Sequence, residues 1–298
     1  MTTVPDAANS MLEPGSLHKL GVVVPIRFSP VQIVPGRHAL GQAGEGMRLL
    51  RSRPYLPRED NPRDIDKFSP PGQRQVIEWE SESQSSITIL ADVSASANTP
   101  MLAPLRNLSV LQLTYSLWRG GDRVALGLFD TTIRSEIRTA NLAQQLRQTS
   151  MALHRNSGRE VTDIRRTLAD FASRCSRTSR HLLFVVSDFA GDNPVPPSQL
   201  QSVLAALRCT LVPVVVSYAL PQSVRGTMKL VDAETSSRRV TWLGRRGIAR
   251  INRDEADRVA SLVQQFRSAG MDCLTVRRQK DVYPELVKLA RTRRSRRL

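Results

Sequence analysis

The sequence predicts an α/β fold with a doubly wound, mostly parallel sheet, preceded by a β-rich N-terminal extension. From about residue 85, short apolar runs rich in β-branched residues alternate with amphipathic stretches of helical length. Such alternation indicates right-handed βαβ crossovers, which give a mostly parallel sheet. Before that point no helical period dominates, and short β-like pieces flank a section rich in proline, glycine and charge.

The predicted domain boundaries follow from these changes in composition and hydrophobic periodicity along the chain. Residues 1–20 are predicted to be a flexible lead-in, and residues 21–84 the β-rich region, with strands in VVVPIRF and RQVIEWESE. Residues 85–280 form the main domain, and 281–298 form a basic C-terminal helix and tail. An inserted hairpin at about 228–251, with its turn near Ser236, interrupts the alternation.

The elements of the main domain can be read in order along the chain. The predicted strands are ITILADV, DRVALGLFD, RHLLFVVSDF, CTLVPVVVS and MDCLTVRR, each a short apolar run. A glycine pair ends the first helix, and the helix RDEADRVASLVQQFRSAG has acidic residues in its first turn and glycine at its end. The other predicted helices are MLAPLRNLSVLQLTYSLWR, NLAQQLRQTSMALHR, DIRRTLADFASRC, PSQLQSVLAALR and YPELVKLARTRR.

The charge of the chain indicates which classes of molecule the protein could bind. The chain has 298 residues and a formal net charge of +16, with 43 Lys and Arg against 27 Asp and Glu. Such a charge favours anionic partners, which could be acidic proteins, nucleic acid or a membrane surface. Three dispersed cysteines argue against disulfides or a zinc site, and neither a signal peptide nor a membrane-spanning apolar run is evident. We expect a cytoplasmic protein.

Oxygen-bearing side chains follow two of the predicted strands. Asp92, Ser94 and Ser96 alternate after the first strand, Asp188 follows the third, and Thr162 precedes a helix. Ligands bind at the carboxyl ends of the strands in open α/β sheets, so these residues are predicted to converge there. Carboxylate and hydroxyl oxygens suit Mg²⁺ or Mn²⁺. Because few charged protein groups would surround the ion, one coordination position would remain for a carboxylate of a partner protein.

Several of these residues also have a simpler structural interpretation that does not involve a metal ion. A lone Asp-x-Ser-x-Ser motif can be a strand-exit turn, because Asp and Ser bond the local backbone. Asp163 could be an outer-shell acceptor near a metal or a partner contact, or it could cap a helix. Asp130 could reach the same edge, although a strand-exit turn is the simpler interpretation.

The segment from Asp92 to Ser96, with Thr162 and Asp188, resembles the metal-ion-dependent adhesion site (MIDAS) of von Willebrand factor A (vWA) domains. The region upstream resembles the signature of the DUF58 family. The matching positions are Arg53, Tyr55, Asp60, Arg63, Ile65 and Asp66. The chain departs from that signature at Arg58, Glu59, Lys67 and Ala97.

The resemblance implies a chaperone-like or adaptor protein that binds other proteins, and because the sequence offers no general base at a recognisable spacing we expect it not to be an enzyme. DUF58 proteins are commonly paired with MoxR-type AAA+ ATPases, and some act in methanol dehydrogenase maturation. The resemblance therefore implies a role in assembling, maturing or activating a target enzyme, with Mg²⁺ or Mn²⁺ as cofactor. No nucleophile elbow, HExxH motif or phosphate loop is present in the sequence.

A nucleic-acid-binding protein is the alternative, because the net charge is high and the C-terminal LARTRRSRRL is rich in arginine. The low aromatic content and the absence of a nucleic-acid-binding motif argue against specific nucleic-acid recognition. The basic tail itself is either a solvated end or a contact for an acidic protein or anionic lipid.

Overall fold

The computed structural model describes residues 38–43, 49–57, 65–66, 69–70, 73–83, 85–155, 161–175, 180–190, 196–223, 226–231 and 238–295. The chain divides into two compact units, the smaller within residues 26–85 and the larger including all described residues from 86 onward. The predicted lead-in, the strand VVVPIRF and the turn near Ser236 lie outside the described residues. Residues Asp60 and Arg63 do so as well.

The smaller unit contains an antiparallel sheet in the order β1-β3-β2. Its strands are β1 (His38–Ala43), β2 (Leu49–Pro54) and β3 (Gln75–Ser83). The described signature residues meet at the start of β3, because Arg53 and Ile65 both pair with Val76. Beside them, the amides of Tyr55 and Asp66 donate to the carbonyls of Arg74 and Gln75. These backbone hydrogen bonds attach the described signature residues to the sheet of the smaller unit.

The larger unit contains a six-stranded mixed sheet in the order β11-β8-β7-β4-β5-β6. Parallel ladders join β4 to β5, β7 to β8 and β8 to β11, whereas β6 runs antiparallel to β5. The strands are β4 (Ser85–Asp92), β5 (Val124–Phe129), β6 (Ile133–Ile137), β7 (Arg180–Ser187), β8 (Arg208–Val216) and β11 (Leu274–Val276). In the sheet, β5 lies on one side of β4, and β7, which comes later in the chain, lies on the other side. The ends of β4 and β7 therefore flank the point where strand order reverses.

Six α-helices accompany the sheet in the part of the larger unit that the structure describes. They are α1 (Ala103–Arg119), α2 (Leu142–Arg155), α3 (Ile164–Arg174), α4 (Pro197–Leu204), α5 (Arg245–Ser268) and α6 (Val282–Ser295). Apolar residues of α3, α4 and α5, such as Phe171, Leu200 and Phe266, form one buried cluster with the sheet. Helix α1 contacts α2, α6 and the strands β5 and β7. The predicted α/β fold with a doubly wound, mostly parallel sheet is confirmed by this strand order and by the helices between the strands.

Several details differ from the prediction. Strands β1 and β2 were not predicted, because no β-like run was assigned to residues 38–54. The antiparallel edge strand β6 was not predicted, although IRSEI alternates apolar and polar residues in the strand period. The inserted hairpin consists of β9 (Gly226–Val231) and β10 (Arg238–Leu243), so the predicted extension to residue 251 is wrong. Helix α5 begins at Arg245, after the extended Gly244, whose carbonyl accepts from the amide of the buried Ile248.

No helix in the described part of the chain is both long enough and apolar enough to span a bilayer.

The basic C-terminal segment belongs to α6 as far as Ser295. Arg293 is buried, and its Nε donates to Asp272 Oδ2 at 2.7 Å. The charge of Arg293 is therefore neutralised within the fold, which excludes this arginine from the solvated tail considered above.

The Arg293–Asp272 pair gives a test of how α6 is held. Arg293→Ala leaves the half-buried Asp272 carboxylate without this partner, so the free energy of unfolding should fall by roughly 2–4 kcal/mol. Arg291→Ala removes an exposed arginine from the same helix and should change it by less than about 0.5 kcal/mol. Urea denaturation followed by circular dichroism measures both, and equal stabilities would contradict the assignment.

Candidate metal centre

The carboxylate of Asp92 is fully buried at the end of β4 and joins three segments of the chain. Its Oδ1 accepts from the Ser94 amide at 2.9 Å, within the same turn. Its Oδ2 accepts from Thr162 Oγ1 at 3.1 Å and from Ser187 Oγ at 2.7 Å. Burial raises the pKa of Asp92, and these hydrogen bonds act in the opposite direction. The anion is thus held by hydrogen-bond donors.

Ser94 and Ser96 lie side by side in the turn after β4. Their hydroxyl oxygens are 3.2 Å apart, and Ser94 Oγ also accepts from the Ala97 amide at 3.4 Å. Alternation places both hydroxyls on the same side of the turn as the Asp92 carboxylate. Four of the five predicted ligands are therefore linked by direct hydrogen bonds.

Asp188, the fifth predicted ligand, follows the Ser187 whose hydroxyl contacts Asp92. Its carboxylate is buried and accepts from the Ala190 amide at 3.2 Å. Burial, together with the nearby charge of Asp92, raises the pKa of Asp188 to about 6. Two buried carboxylates thus repel each other across the end of the β4–β7 strand pair.

The turn that carries Asp188 has an unusual backbone conformation. Phe189 has a φ of 51°, which a non-glycine residue rarely adopts. Arg258 of α5 donates through Nη1 to the carbonyl of Asp188 at 3.1 Å, and Glu255 pairs with the same guanidinium. The Phe189 ring packs edge-on against Phe266, with centroids 5.3 Å apart. Helix α5 therefore fixes the turn in this conformation.

A second arginine, Arg106 of α1, fixes the turn after β4. Its Nη1 donates to the Asp92 carbonyl at 2.9 Å and to Asn98 Oδ1 at 2.8 Å, and its Nε donates to Asn107 Oδ1. Burial lowers the pKa of Arg106 to about 10, and the charge of Asp92 acts in the opposite direction. Sequence reasoning missed Arg106, Ser187 and Arg258, because only the tertiary fold brings them to the turns.

The two remaining acidic candidates have structural roles. Asp163 caps α3, because its Oδ1 accepts from the Arg166 amide at 2.8 Å. This is the capping role that the sequence allowed. Asp130 stays in the turn after β5, where its carboxylate accepts from the Thr131 amide and pairs with Arg134. Its carbonyl accepts from the Asp163 amide, which links the two turns through the backbone.

The donor set at this edge fits a hard divalent cation. It contains two carboxylates and three hydroxyls, and no arginine or lysine among the described residues forms a salt bridge with either carboxylate. The described residues contain no cluster of three His, Cys, Asp or Glu side chains suited to a metal. A cation here would depend on hydroxyls and water for its remaining ligands, as Mg²⁺ and Mn²⁺ accept.

Comparison with known proteins gives only distant similarities. No protein-family model and no curated protein matches the chain. A solved aerotolerance-related membrane protein from Bacteroides fragilis is 14% identical with a TM-score of 0.40, covering 69% of this chain and all of that one. What this chain binds therefore has to be inferred from its own residues.

Two further solved structures are similar over less than half of this chain. A von Willebrand factor type A protein from Catenulispora acidiphila is 15% identical with a TM-score of 0.36, over 46% of this chain and 34% of its own. Proximal thread matrix protein 1 from the mussel byssus, solved with a zinc-occupied MIDAS motif, is 14% identical with a TM-score of 0.33. That match covers 47% of this chain and 40% of the mussel protein.

The mutual repulsion of the two carboxylates predicts that Asp188→Asn stabilises the cation-free protein. An amide keeps the acceptor for Ala190 and removes the buried charge. Above pH 6 the free energy of unfolding in chelator should rise by roughly 1–3 kcal/mol. Denaturant titrations of both proteins measure this difference.

The pH dependence of that difference follows from the direction of the shift. Since the folded-state pKa of Asp188 is about 6, above its ordinary value of 3.8, the folded protein binds more protons between those values. Wild-type stability from this group therefore falls as pH rises through that window, and the advantage of Asp188→Asn grows with it. A variant less stable than wild type above pH 6 would contradict the burial of the charge.

Proposed function

We propose that the larger unit is a metal-dependent, non-enzymatic protein-binding module. In this proposal Asp92, Ser94, Ser96, Thr162 and Asp188 hold Mg²⁺ or Mn²⁺. The observation that carries it is the pair of buried carboxylates at neighbouring strand ends, joined by hydroxyls and lacking a cationic partner among the described residues. A divalent cation would neutralise this pair, which is otherwise costly to bury.

The partner that this site fits is a protein presenting an acidic side chain. With few protein charges around it, a bound cation stays electrophilic and accepts a carboxylate from outside. The net charge of +16 adds long-range attraction for an acidic partner. A binding role fits better than catalysis, because the described histidine contacts lie elsewhere: His154 bonds the Ser150 carbonyl and His181 packs against Phe171.

The resemblance to the DUF58 signature supports a more specific role. In that role the partners are a MoxR-type AAA+ ATPase and a client enzyme that presents an acidic residue. The module then serves the assembly, maturation or activation of the client, and methanol dehydrogenase is one candidate. Co-purification of the chain with a purified MoxR-type ATPase, with and without chelator, tests this part of the proposal.

Cation binding can be tested with a matched pair of variants. Calorimetric titration of Mg²⁺ or Mn²⁺ into the chelator-treated chain should show binding, and Asp92→Asn should weaken it at least about tenfold. Asp163→Asn is the control, because its side chain caps α3 and asparagine is an equally good cap. It should bind as wild type does. Equal binding by wild type and Asp92→Asn would overturn the metal assignment.

The high positive charge keeps a nucleic-acid-binding role as the second candidate. Phosphate contacts make such binding fall steeply with salt. We expect no mobility shift of random duplex or single-stranded DNA at physiological ionic strength. Retardation that is salt-sensitive and unchanged in Asp92→Asn would favour the nucleic-acid role over the metal-dependent one.

A further inference from the structure

Four arginines are concentrated in residues 245–253, at the start of α5, and no acidic residue lies among them. They are Arg245, Arg246, Arg250 and Arg253, and all four are exposed. The Arg250 side chain is 85% exposed, and its ion pair with Asp254 is long, at 3.8 Å. Cations near the N-terminus of a helix are unfavourable, because they face the positive end of the helix dipole. These arginines therefore do not stabilise α5 electrostatically, which favours a role in binding an anionic partner.

Three exposed apolar side chains lie in the same stretch of chain. Val240 and Trp242 of β10 are 66% and 72% exposed, and Ile251 of α5 is 39% exposed. Val240 and Trp242 are the two most exposed large hydrophobic side chains among the described residues. A single exposed hydrophobic side chain is ordinary, whereas a contiguous group of them marks an interaction site.

Contacts between β10 and the start of α5 hold these side chains close together. The indole Nε1 of Trp242 lies beside Gly244, 3.6 Å from the position that a Cβ on Gly244 would take. Leu243 lies against Gly247 in the same way, at 3.7 Å. Ile251 follows Gly247 by one turn and so shares its side of the helix. From Gly244 to Ile251 the helix rises only about 10 Å, so the end of the hairpin and the first two turns of α5 form one surface.

The arginines border the apolar side chains on this surface. Arg245 and Arg246 directly follow Gly244, and Arg250 directly precedes Ile251. Arg246 and Arg250 are one turn apart and are therefore neighbours on the exposed side of the helix. We term this surface the basic apolar patch, and its members are Val240, Trp242, Arg245, Arg246, Arg250 and Ile251.

The hairpin that carries Val240 and Trp242 is not part of the main sheet. β9 and β10 form a separate two-stranded sheet, in which Trp242 pairs with the exposed Thr227. Residues two apart in a strand point to the same face, so Val240 and Trp242 share one. A two-stranded hairpin is only marginally stable in water by itself. Covering this face with an apolar phase would therefore stabilise the hairpin and also bury its side chains.

Among the anionic partners that the charge of the chain allows, a lipid bilayer fits this surface best. Tryptophan is enriched at the boundary between lipid and water, where its ring is buried and its N–H stays near polar groups. Arginines beside it can contact lipid phosphates while their aliphatic stems remain in the boundary region. An amphipathic surface of this composition is typical of proteins that lie on a membrane without spanning it.

The other anionic partners fit this surface less well. Nucleic acid would leave Val240 and Ile251 without a contact, and a single aromatic residue offers no series of stacking platforms for bases. The cavities described along α5, into which an apolar peptide could fit, lie instead around Arg267 near the other end of the helix.

We propose that the basic apolar patch binds the surface of an anionic lipid bilayer. Its apolar side chains, with Trp242 foremost, enter the boundary between headgroups and acyl chains. Its arginines contact the phosphates of the headgroups. This activity goes beyond the protein-binding function proposed above and requires no divalent cation, because none of the residues in the patch belongs to the candidate metal centre.

Co-sedimentation of the full chain with vesicles tests this inference. Vesicles of phosphatidylglycerol mixed with phosphatidylcholine are compared with vesicles of phosphatidylcholine alone, both in the presence of chelator. The chain should bind the anionic vesicles and should bind the neutral ones at least about tenfold more weakly. Binding to the anionic vesicles should weaken as the salt concentration rises, because salt screens the attraction of the arginines.

Two kinds of variant separate the apolar contribution from the charged one. Trp242→Ser should weaken vesicle binding about tenfold, because it removes the largest apolar side chain of the patch. The double variant Arg246→Gln and Arg250→Gln should also weaken it at least about tenfold. The matched control replaces two exposed arginines of α2, Arg147 and Arg155, with glutamine. It removes the same charge and should bind within about twofold of wild type.

Two further measurements distinguish membrane contact from a change in the fold. The replaced side chains are exposed, so circular dichroism and the urea unfolding transition should be unchanged. Vesicles that contain brominated lipid should quench part of the tryptophan fluorescence of the wild type. That quenching should be lost in Trp242→Ser, although Trp79 and Trp118 remain.

Several results would overturn the inference. Absence of binding to anionic vesicles would do so, as would wild-type binding by either Trp242→Ser or the double arginine variant, because the contact would then lie elsewhere on the chain. Vesicle binding that requires a divalent cation would place the contact at the metal centre instead. Arginine-dependent binding of random duplex DNA without vesicle binding would assign the patch to nucleic acid. The same experiments with Asp92→Asn should match wild type, so failure of the metal-dependent function leaves this result distinguishable.

Discussion

The buried carboxylate of Asp92 is the group around which the edge of the main sheet is organised. A carboxylate without water must find its hydrogen bonds within the protein, and Asp92 finds them in three distant segments. The turn after β4, the loop before α3 and the end of β7 therefore cannot move independently. This constraint also places Asp188 near a second negative charge, which adds to the effect of burial in raising the pKa of Asp188.

Two arginines from helices make this arrangement rigid. Arg106 reaches from α1 to the turn after β4, and Arg258 reaches from α5 to the turn after β7. Neither forms a salt bridge with the carboxylate of Asp92 or Asp188. Both bond backbone carbonyls of the turns instead, so they fix the geometry of the turns, and their charges act on the two acids only from beyond salt-bridge distance. The positions of both turns are thereby fixed by bonds to their backbone.

Much of this fold and part of the site could be predicted from the sequence. Strands such as β5 and β7 contain short continuous apolar runs, which are typical of strands buried on both faces of a sheet. Asp92 and Asp188 could be placed because each directly follows such a strand. Ser187 could not, because its contact with Asp92 spans 95 residues of sequence and depends on strand order. Arg106 was missed because buried polar residues along α1, such as Gln112 and Ser116, hide which face is covered.

The error at the start of α5 has a similar cause. In the sequence, the arginines and the glycine around Ile248 resemble a hairpin loop. The structure shows that they belong to α5, in which Ile248 is buried. The signature residues Arg53 and Tyr55 lie beside the start of β3: Arg53 pairs with Val76, and the Tyr55 amide donates to the Arg74 carbonyl.

The two outer strands of the main sheet determine how a second polypeptide can approach it. β11 has only three residues, and β6 carries charged side chains together with a register irregularity against β5. Strands that are short, charged or irregular offer a poor template for main-chain pairing with another molecule. Lateral growth of the sheet is therefore disfavoured at both margins. A partner of the kind proposed above would therefore meet side chains of the loops at the strand termini rather than a shared backbone ladder.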